Sequence, residues 1–216
     1  MTESMFENLN ERQIEAVKLV DGPVMAVAGA GSGKTRVLTN RIAYLIGKIG
    51  ISPSNILAIT FTNKAAEEMR SRVFNLIDIP VSGIWISTFH AMGAKILRYD
   101  IHHLDYDNDF QIIDDEDSTI IVKNIMKDMN YDLKRFYPKI IDKLIQKVKG
   151  NQIKIDFLEE PIRSVIEQVY PEYDRYLKSN NLVDFQDLLV LQLKLFNKRP
   201  DVLEKYQNMF EYILVD

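Results

Sequence analysis

The sequence lacks cysteine and has no long apolar run. Without cysteine, the chain can form neither a disulfide framework nor a thiolate metal site. No uninterrupted apolar stretch approaches the roughly 20 residues that a membrane-spanning helix needs. Residues 1–10 carry acids and lack the apolar core of a secretory signal. We therefore expect a cytoplasmic protein with no membrane partner. With 216 residues, of which 46% are hydrophobic, the chain can bury one substantial core or two smaller ones.

A shortage of positive charge also marks the chain, whose formal net charge is −4. Taken alone, this value argues against nucleic acid as a partner. The charge is segregated, however, because acids dominate residues 100–133 and bases dominate residues 134–154. The acidic stretch indicates solvated helix faces. The basic stretch suits a solvated helix face and a DNA-facing surface equally well. Its basic residues are Lys134, Arg135, Lys139, Lys143, Lys147, Lys149 and Lys154.

Residues 24–35 read VMAVAGAGSGKT, a short apolar run followed by a loop of very small residues and then Lys-Thr. Small residues allow backbone N–H groups to approach a phosphate closely, and the following helix adds partial positive charge. Lys34 would reach the β- and γ-phosphates, and the Thr35 hydroxyl would hold Mg²⁺. Ala28 replaces the usual first glycine, but its methyl group is small. The alternative is a glycine-rich turn that happens to precede Lys-Thr. The sequence therefore predicts binding of a nucleoside triphosphate with Mg²⁺.

Apolar runs alternate with helical patterns in the first part of the chain. We expect strands over residues 24–28, 56–61 and 84–87, each followed by a helix, and a last strand over residues 212–215. This βαβαβα alternation predicts an α/β fold with a parallel sheet flanked by helices and right-handed crossovers.

The alternation breaks after residue 99. We expect helices over residues 118–129, 138–149 and 161–178, started by Asp117 or Ser118 and by the two prolines at 138 and 161. This block is long enough to form an all-helical subdomain inserted between strands. Helices over residues 184–196 and 201–208 would then return the chain to the sheet.

Ligands of an open parallel sheet gather at the carboxyl ends of its strands. Asp216 ends the last apolar run, and an aspartate there can hold Mg²⁺ opposite Thr35. The alternative is that Asp216 caps a turn after the strand.

Polar residues also follow the two middle strands. The pairs at positions 62–63 and 87–88 can act as ordinary helix N-caps or can additionally cradle DNA phosphates. The neighbouring Phe61, Phe89 and His90 can stack on bases, as single-strand binders require. For Phe61 a place in the core is an equally reasonable interpretation.

Together these stretches resemble the motifs of the UvrD/Rep/PcrA DNA helicases of superfamily 1, and they occur in that family's order. The stretches are Leu9-Asn10 with Gln13 and residues 28–35, 58–66, 87–90, 183–189 and 213–216. The resemblance implies a RecA-like P-loop NTPase sheet and an ATP-driven motor. Such a motor moves 3′→5′ on single-stranded DNA and unwinds duplex DNA.

The resemblance also implies a role for each matching residue. Gln13 would read the adenine edge, and Arg36 would lie against the adenine. Lys34 and Asp216 would be the catalytic residues, with Thr35 and Asp216 serving Mg²⁺. The remaining nucleotide-binding residues would be Ala28, Gly29, Ala30, Gly31, Ser32 and Gly33. The single-stranded DNA track would be lined by Phe61, Thr62, Asn63, Thr88, His90 and Phe185.

By the same resemblance, residues 1–99 and 182–216 would form the first motor domain. Residues 100–181 would be its inserted helical subdomain, which leans on duplex DNA in this family. The family's aspartate is followed by a catalytic glutamate and, later, by a second motor domain. Since the sequence stops at Asp216, we expect an N-terminal fragment, monomeric and nearly inactive, whose natural partner is the missing C-terminal motor domain.

Two other functions use the same phosphate-binding loop. One is a small phosphotransferase resembling a nucleoside kinase, for which the helical block could supply a lid. The other is a non-catalytic module that binds nucleotide without turnover.

Overall fold

The computed structural model describes residues 4–29, 31–77 and 83–216. Its α-helices are α1 (Glu11–Lys18), α2 (Lys34–Tyr44), α3 (Asn63–Leu76), α4 (Phe89–Asp100), α5 (Asp115–Asp128), α6 (Pro138–Lys149), α7 (Ile162–Ser179), α8 (Asp187–Lys198) and α9 (Pro200–Met209). Its strands are β1 (Ile56–Thr60), β2 (Trp85–Thr88), β3 (Gln111–Ile112), β4 (Leu182–Val183) and β5 (Tyr212–Val215). None of the described helices is both long enough and apolar enough to cross a membrane.

The chain forms two compact units, which are described separately. The first, here called the sheet unit, comprises residues 1–92 and 204–216. The second, the helical unit, comprises residues 93–203. These borders differ from the borders at 100 and 181 expected for an inserted subdomain, and the division into motor domain and insertion stays a prediction.

The sheet unit is built on three parallel strands in the order β2-β1-β5. All five residues of the central strand β1 are buried, as expected for an aliphatic strand covered on both faces. Its Ala58 lies opposite Ile86 on one side and Leu214 on the other. Helices α2 and α3 contribute Ile42 and Met69 to the core around this sheet. The predicted α/β class with a parallel, helix-flanked sheet is therefore confirmed.

The predicted strand over residues 24–28 is wrong, because this segment pairs with no strand in the described part of the chain. Its Met25 and Val27 are 86% and 85% exposed. The segment and β5 both line a cavity of about 790 Å³. Apolar composition indicated a strand, but an extended segment becomes one only when a neighbour satisfies its backbone N–H and C=O groups.

The helical unit packs α5, α6 and α7 around a core that includes Val122, Ile141 and Tyr173. The expectation of an all-helical block needs one correction, because the strands β3 and β4 pair in parallel. The pairing joins positions about 70 residues apart and is only two residues long on each side. Such a short, non-local pair leaves no periodic pattern in the sequence.

Helix ends follow local chemistry closely. Helix α6 begins at Pro138 and ends at Lys149, as predicted. Helix α5 begins three residues before the predicted start, because the Asp114 carboxylate accepts hydrogen bonds from the N–H groups of Glu116 and Asp117, each 2.9 Å long. Asp114 is therefore the N-cap of α5.

Candidate nucleotide site and nucleic-acid interface

The loop before α2 depends on glycine at two positions. Gly31 and Gly33 have φ angles of +74° and +86°, in the left-handed region that glycine adopts without strain. A Cβ atom at Gly33 would also lie 3.3 Å from Gln13 Nε2. The loop therefore takes a path that larger residues would resist. Ala30, which the sequence assigned to this loop, lies outside the described residues.

Lys34 is the first residue of α2 and folds back over the loop. Its Nζ donates hydrogen bonds to the carbonyl oxygens of Ala28, at 3.0 Å, and Gly29, at 2.8 Å. The Ser32 N–H donates to the same Gly29 carbonyl over 3.4 Å. The ammonium group of Lys34 thus lies against the backbone of the loop that it was predicted to serve.

The next residue, Thr35, contacts a residue that is far away in the sequence. Thr35 Oγ1 donates a 2.7 Å hydrogen bond to Asp216 Oδ2, across 181 positions of sequence. Asp216 is held from its other side, because its N–H donates to the Ile59 carbonyl at 2.9 Å and so extends the β1–β5 pairing. The predicted convergence of Thr35 and Asp216 at the carboxyl edge of the sheet is thus present in the structure.

These two oxygen donors cannot hold a metal ion unaided. Across residues 4–29, 31–77 and 83–216, no group of three or more His, Cys, Asp or Glu side chains could hold a metal ion. Mg²⁺ usually keeps several waters and takes only one or two protein carboxylates together with substrate phosphates. The arrangement therefore suits a cation that arrives with a phosphate ligand.

Gln13 connects the start of α1 to the loop. Its Nε2 donates to the Ser32 carbonyl at 2.9 Å. Its Oε1 accepts from the Asn10 N–H at 2.8 Å, while Asn10 Oδ1 accepts from the Gln13 N–H at 3.0 Å. This reciprocal capping box fixes the Gln13 side chain. Arg36, the other predicted adenine contact, donates from Nη1 to the Asn8 carbonyl over 3.4 Å.

Phe61 stands directly after β1 and is 86% exposed, which excludes the core position considered for it. The adjacent Thr62 is the N-cap of α3, and its Oγ1 accepts from the Ala65 N–H at 3.1 Å. An exposed aromatic ring thus lies beside a helix N-terminus at the sheet edge.

The end of β2 repeats this arrangement one strand away. Thr88 Oγ1 accepts from the Ala91 N–H at 3.2 Å and donates to Asn63 Oδ1 at 3.5 Å. The starts of α3 and α4 are thereby joined by their own side chains. His90 is partly buried, and burial lowers its pKa below the usual value for histidine.

Phe185, the last predicted DNA contact, belongs to the helical unit. It lies between β4 and α8 and is 54% exposed, whereas the neighbouring Asp184 is 2% exposed. Its position is described within that unit only.

One residue of the basic stretch was misjudged. Lys149 is 8% exposed and forms ion pairs with Asp174, Asp184 and Asp187, so it is removed from any basic surface. The other six basic residues of the stretch are exposed. A signal was present in the sequence, because Lys149 follows Ile141 and Ile145 at four-residue steps and so lies on the apolar stripe of α6.

Comparisons with known proteins identify the family of the chain. Residues 9–216 match the family model of the UvrD/REP helicase N-terminal domain. The chain is 44% identical to the ATP-dependent DNA helicase PcrA of Staphylococcus epidermidis (strain RP62A) and also 44% identical to PcrA of Staphylococcus aureus (strain Mu50). Each match covers 99% of this chain and 30% of the relative. The chain thus spans about a third of the length of these curated relatives. Because the family model covers nearly every residue, the chain belongs to the UvrD/REP helicase N-terminal domain family.

Proposed function

We propose that this chain is the ATP-binding and DNA-binding first part of an ATP-dependent DNA helicase. The observation that carries the proposal is the 2.7 Å hydrogen bond between Thr35 Oγ1 and Asp216 Oδ2. It lies at the carboxyl edge of a parallel sheet, where ligands of open α/β sheets bind. The finer assignment of this sheet as a RecA-like P-loop NTPase fold rests on family membership. That membership also favours a helicase over a nucleoside kinase.

The residues present fit Mg²⁺ and a triphosphate. The hydroxyl of Thr35 and the carboxylate of Asp216 are the hard oxygen donors that Mg²⁺ prefers. The positive φ angles at Gly31 and Gly33 turn the loop toward α2, whose N-terminus favours an anion. Lys34 already reaches the loop backbone and would exchange its carbonyl partners for phosphate oxygens. ATP would supply the free energy of its hydrolysis for movement along DNA.

Single-stranded DNA is the second proposed ligand. Phe61 offers an exposed ring for base stacking, which is sequence-tolerant because every base has a π face. The linked helix starts at Thr62, Asn63 and Thr88 offer hydroxyl, amide and N–H groups for phosphates. We also assign His90 of the sheet unit and Phe185 of the helical unit as contacts of single-stranded DNA. The polarity of translocation, 3′→5′, and a role in repair or replication follow from the family.

Duplex DNA is proposed as a partner of the helical unit. The exposed lysines of α6 lie at four-residue steps, at Lys139, Lys143 and Lys147, and so share one helix face. The acid within this stretch, Asp142, is 4% exposed and is turned away from that face. An unopposed row of cations is suited to a phosphate backbone.

The remaining partner is a second motor domain within the same longer polypeptide. An arginine supplied to the transferred phosphate contributes roughly 10³–10⁵ in rate in phosphoryl transfer. The chain by itself, which we propose to be monomeric, should therefore hydrolyse ATP slowly or not at all. We assign residues 1–99 and 182–216 to the first motor domain and residues 100–181 to its insertion.

The test uses a complete helicase of this family in which this chain is the N-terminal part. ATP-driven unwinding of a 3′-tailed duplex is measured for Lys34→Ala and for Lys48→Ala, an exposed lysine of the same unit, as the matched control. Lys34→Ala should lose at least about 10²-fold in rate, as for other single transition-state donors, and Lys48→Ala should unwind normally. Full unwinding by Lys34→Ala would contradict the proposal. Phosphorylation of added nucleosides would instead favour a phosphotransferase, and nucleotide binding without any turnover would favour a non-catalytic module.

A further inference from the structure

One lysine and three acidic side chains meet in the helical unit and are here called the buried cluster: Lys149, Asp184 and Asp187 are buried, whereas the Asp174 side chain is 48% exposed. The Lys149 ammonium lies 2.8 Å from a carboxylate oxygen of Asp184, 2.8 Å from one of Asp187 and 3.2 Å from one of Asp174. The side chains of Lys149, Asp184 and Asp187 are 2–4% exposed. One lysine therefore joins the end of α6 to α7 and to the residues around the start of α8.

Two of its partners define a turn. Asp187 N–H donates to Asp184 Oδ1 at 2.7 Å, and Asp184 N–H donates to Asp187 Oδ2 at 3.3 Å. These reciprocal bonds close residues 184–187 into a tight loop. Lys149 contacts both carboxylates of this loop and so holds it from the interior. The partly exposed Phe185 lies between these two anchored residues.

The turn has further support from neighbouring groups. Asp184 Oδ2 also accepts hydrogen bonds from the Tyr173 hydroxyl at 3.0 Å and from Gln146 Nε2 at 3.3 Å. Beside Lys149, a Cβ atom at Gly150 would lie 2.6 Å from Gln186 Nε2. The end of α6 thus packs closely against the turn, with glycine leaving room for the Gln186 side chain.

The buried cluster contributes little net stability, because desolvation of its charged groups offsets much of their mutual attraction. It sets three carboxylates against one ammonium group, and a buried ion pair is often no more stabilising than apolar residues of the same volume. Such a cluster favours one geometry, because a buried charged group loses its hydration and is stabilised only where its partners lie within hydrogen-bonding distance. The fixed geometry here is that of the turn that carries Phe185.

We propose that Lys149 is a positioning residue for single-stranded DNA, fixing the turn at residues 184–187 so that Phe185 is presented in one orientation. This inference rests on the proposed function, in which Phe185 stacks on a base. A ring held in its binding orientation loses less conformational entropy on binding than a mobile one. Lys149 therefore acts on DNA affinity through Phe185 and does not itself touch DNA.

The test measures binding of a fluorescein-labelled oligothymidylate to the full chain by anisotropy, together with amide hydrogen exchange at residues 184–187. The variants are Phe185→Ala, Lys149→Met, their double mutant and the charge-retaining Lys149→Arg. Glu172→Gln is the control, because Glu172 also loses one charge in the same unit but forms its ion pair with the exposed Arg175. Asp187→Asn removes one Lys149 contact and replaces Lys149→Met if that variant does not fold.

Phe185→Ala should weaken oligonucleotide binding roughly five- to hundredfold, because it removes the stacking of a base on the ring. Lys149→Met should show a large part of the same loss of DNA affinity, and its backbone amides at residues 184–187 should exchange with solvent faster. The double mutant should bind no more weakly than Phe185→Ala, since the two residues act as one. Lys149→Arg should recover most of the affinity, and Glu172→Gln should bind normally.

Additive losses in the double mutant, or unchanged exchange at residues 184–187 in Lys149→Met, would overturn the positioning role. That pattern differs from failure of the proposed function. If the unaltered chain does not bind the oligonucleotide, or if Phe185→Ala binds as well as the unaltered chain, the DNA assignment of Phe185 fails and the positioning role fails with it.

Discussion

The polar groups of the sheet unit and those of the helical unit differ in their exposure to solvent. At the sheet edge, the hydrogen bonds of Gln13, Lys34 and Thr35 with their partners are exposed. In the helical unit, Lys149 and two of its carboxylate partners are almost completely buried. The first arrangement is open to exchange with a ligand, whereas the second is closed to everything except its own side chains.

The difference has an energetic side. An exposed hydrogen bond replaces one to water and contributes only about 0.5–1.5 kcal/mol. A buried ion pair whose partner is removed leaves an uncompensated charge and costs about 3–5 kcal/mol. The sheet edge is therefore expected to tolerate substitution without unfolding, and the buried cluster is not.

Lys149→Met should lower the free energy of unfolding of the helical unit by about 3–5 kcal/mol, because Asp184 and Asp187 would stay buried without a cation. The matched control is Lys178→Met, which breaks an exposed pair with Asp105 in the same unit and should cost less than about 1 kcal/mol. Urea denaturation, monitored by hydrogen exchange of the backbone amides of α6 and α7, measures the free energy of unfolding of both variants. Equal losses of unfolding free energy in the two variants would contradict the difference expected between a buried and an exposed ion pair.

Stability should also depend on pH through Asp187. Burial raises the pKa of Asp187 to about 7, in opposition to the neighbouring Lys149 and with a further raising effect from Asp184. A carboxyl group whose folded pKa is raised stabilises the protein below its unfolded pKa, and that stabilisation is lost as pH rises through the folded pKa. The unaltered chain should therefore lose more stability than Asp187→Asn between about pH 5 and about pH 8. Denaturation of both proteins at the two pH values provides the measurement, and parallel pH profiles would contradict the expectation.

Asn10→Ala should have a smaller effect, confined to the sheet unit. It removes the cap of α1 and should cost about 1 kcal/mol. Because Gln13 loses the Asn10 half of the capping box, its bond to the Ser32 carbonyl should also weaken, and the backbone amides of residues 31–33 should exchange faster. Asn75→Ala, at an exposed position near the end of α3, is the control. A loop that exchanges no faster in Asn10→Ala than in Asn75→Ala would argue against the connection.

Local signals predicted much of this architecture. The aliphatic run of β1, the proline at the start of α6 and the apolar strand before Asp216 each carry their information within a few residues. The meeting of Thr35 and Asp216 was also predictable, although 181 positions separate them, because parallel strands present their carboxyl ends on one edge.

The failures have a common cause in non-local pairing. Residues 24–28 have the composition of a strand but pair with no strand among the described residues, and the short β3–β4 pair has no periodicity to detect. Lys149 was counted as a surface cation although it lies on the apolar stripe of α6, and its partner Asp184, 35 positions away, could not be identified from the charge pattern. A charge pattern in the sequence does not report burial, so the buried cluster could not be assembled from it.

We propose that Thr35 and Asp216 share a metal ion that accompanies a nucleotide. The most direct measurement is the affinity of the chain for a fluorescent ATP analogue, with Mg²⁺ and again with EDTA, for the unaltered chain, Thr35→Val and Asp216→Asn. Each substitution should weaken binding about tenfold or more in Mg²⁺, since contacts to charged groups contribute about 1.5–3 kcal/mol, and should leave binding in EDTA unchanged. Equal affinities of all three proteins in Mg²⁺ would contradict the claim.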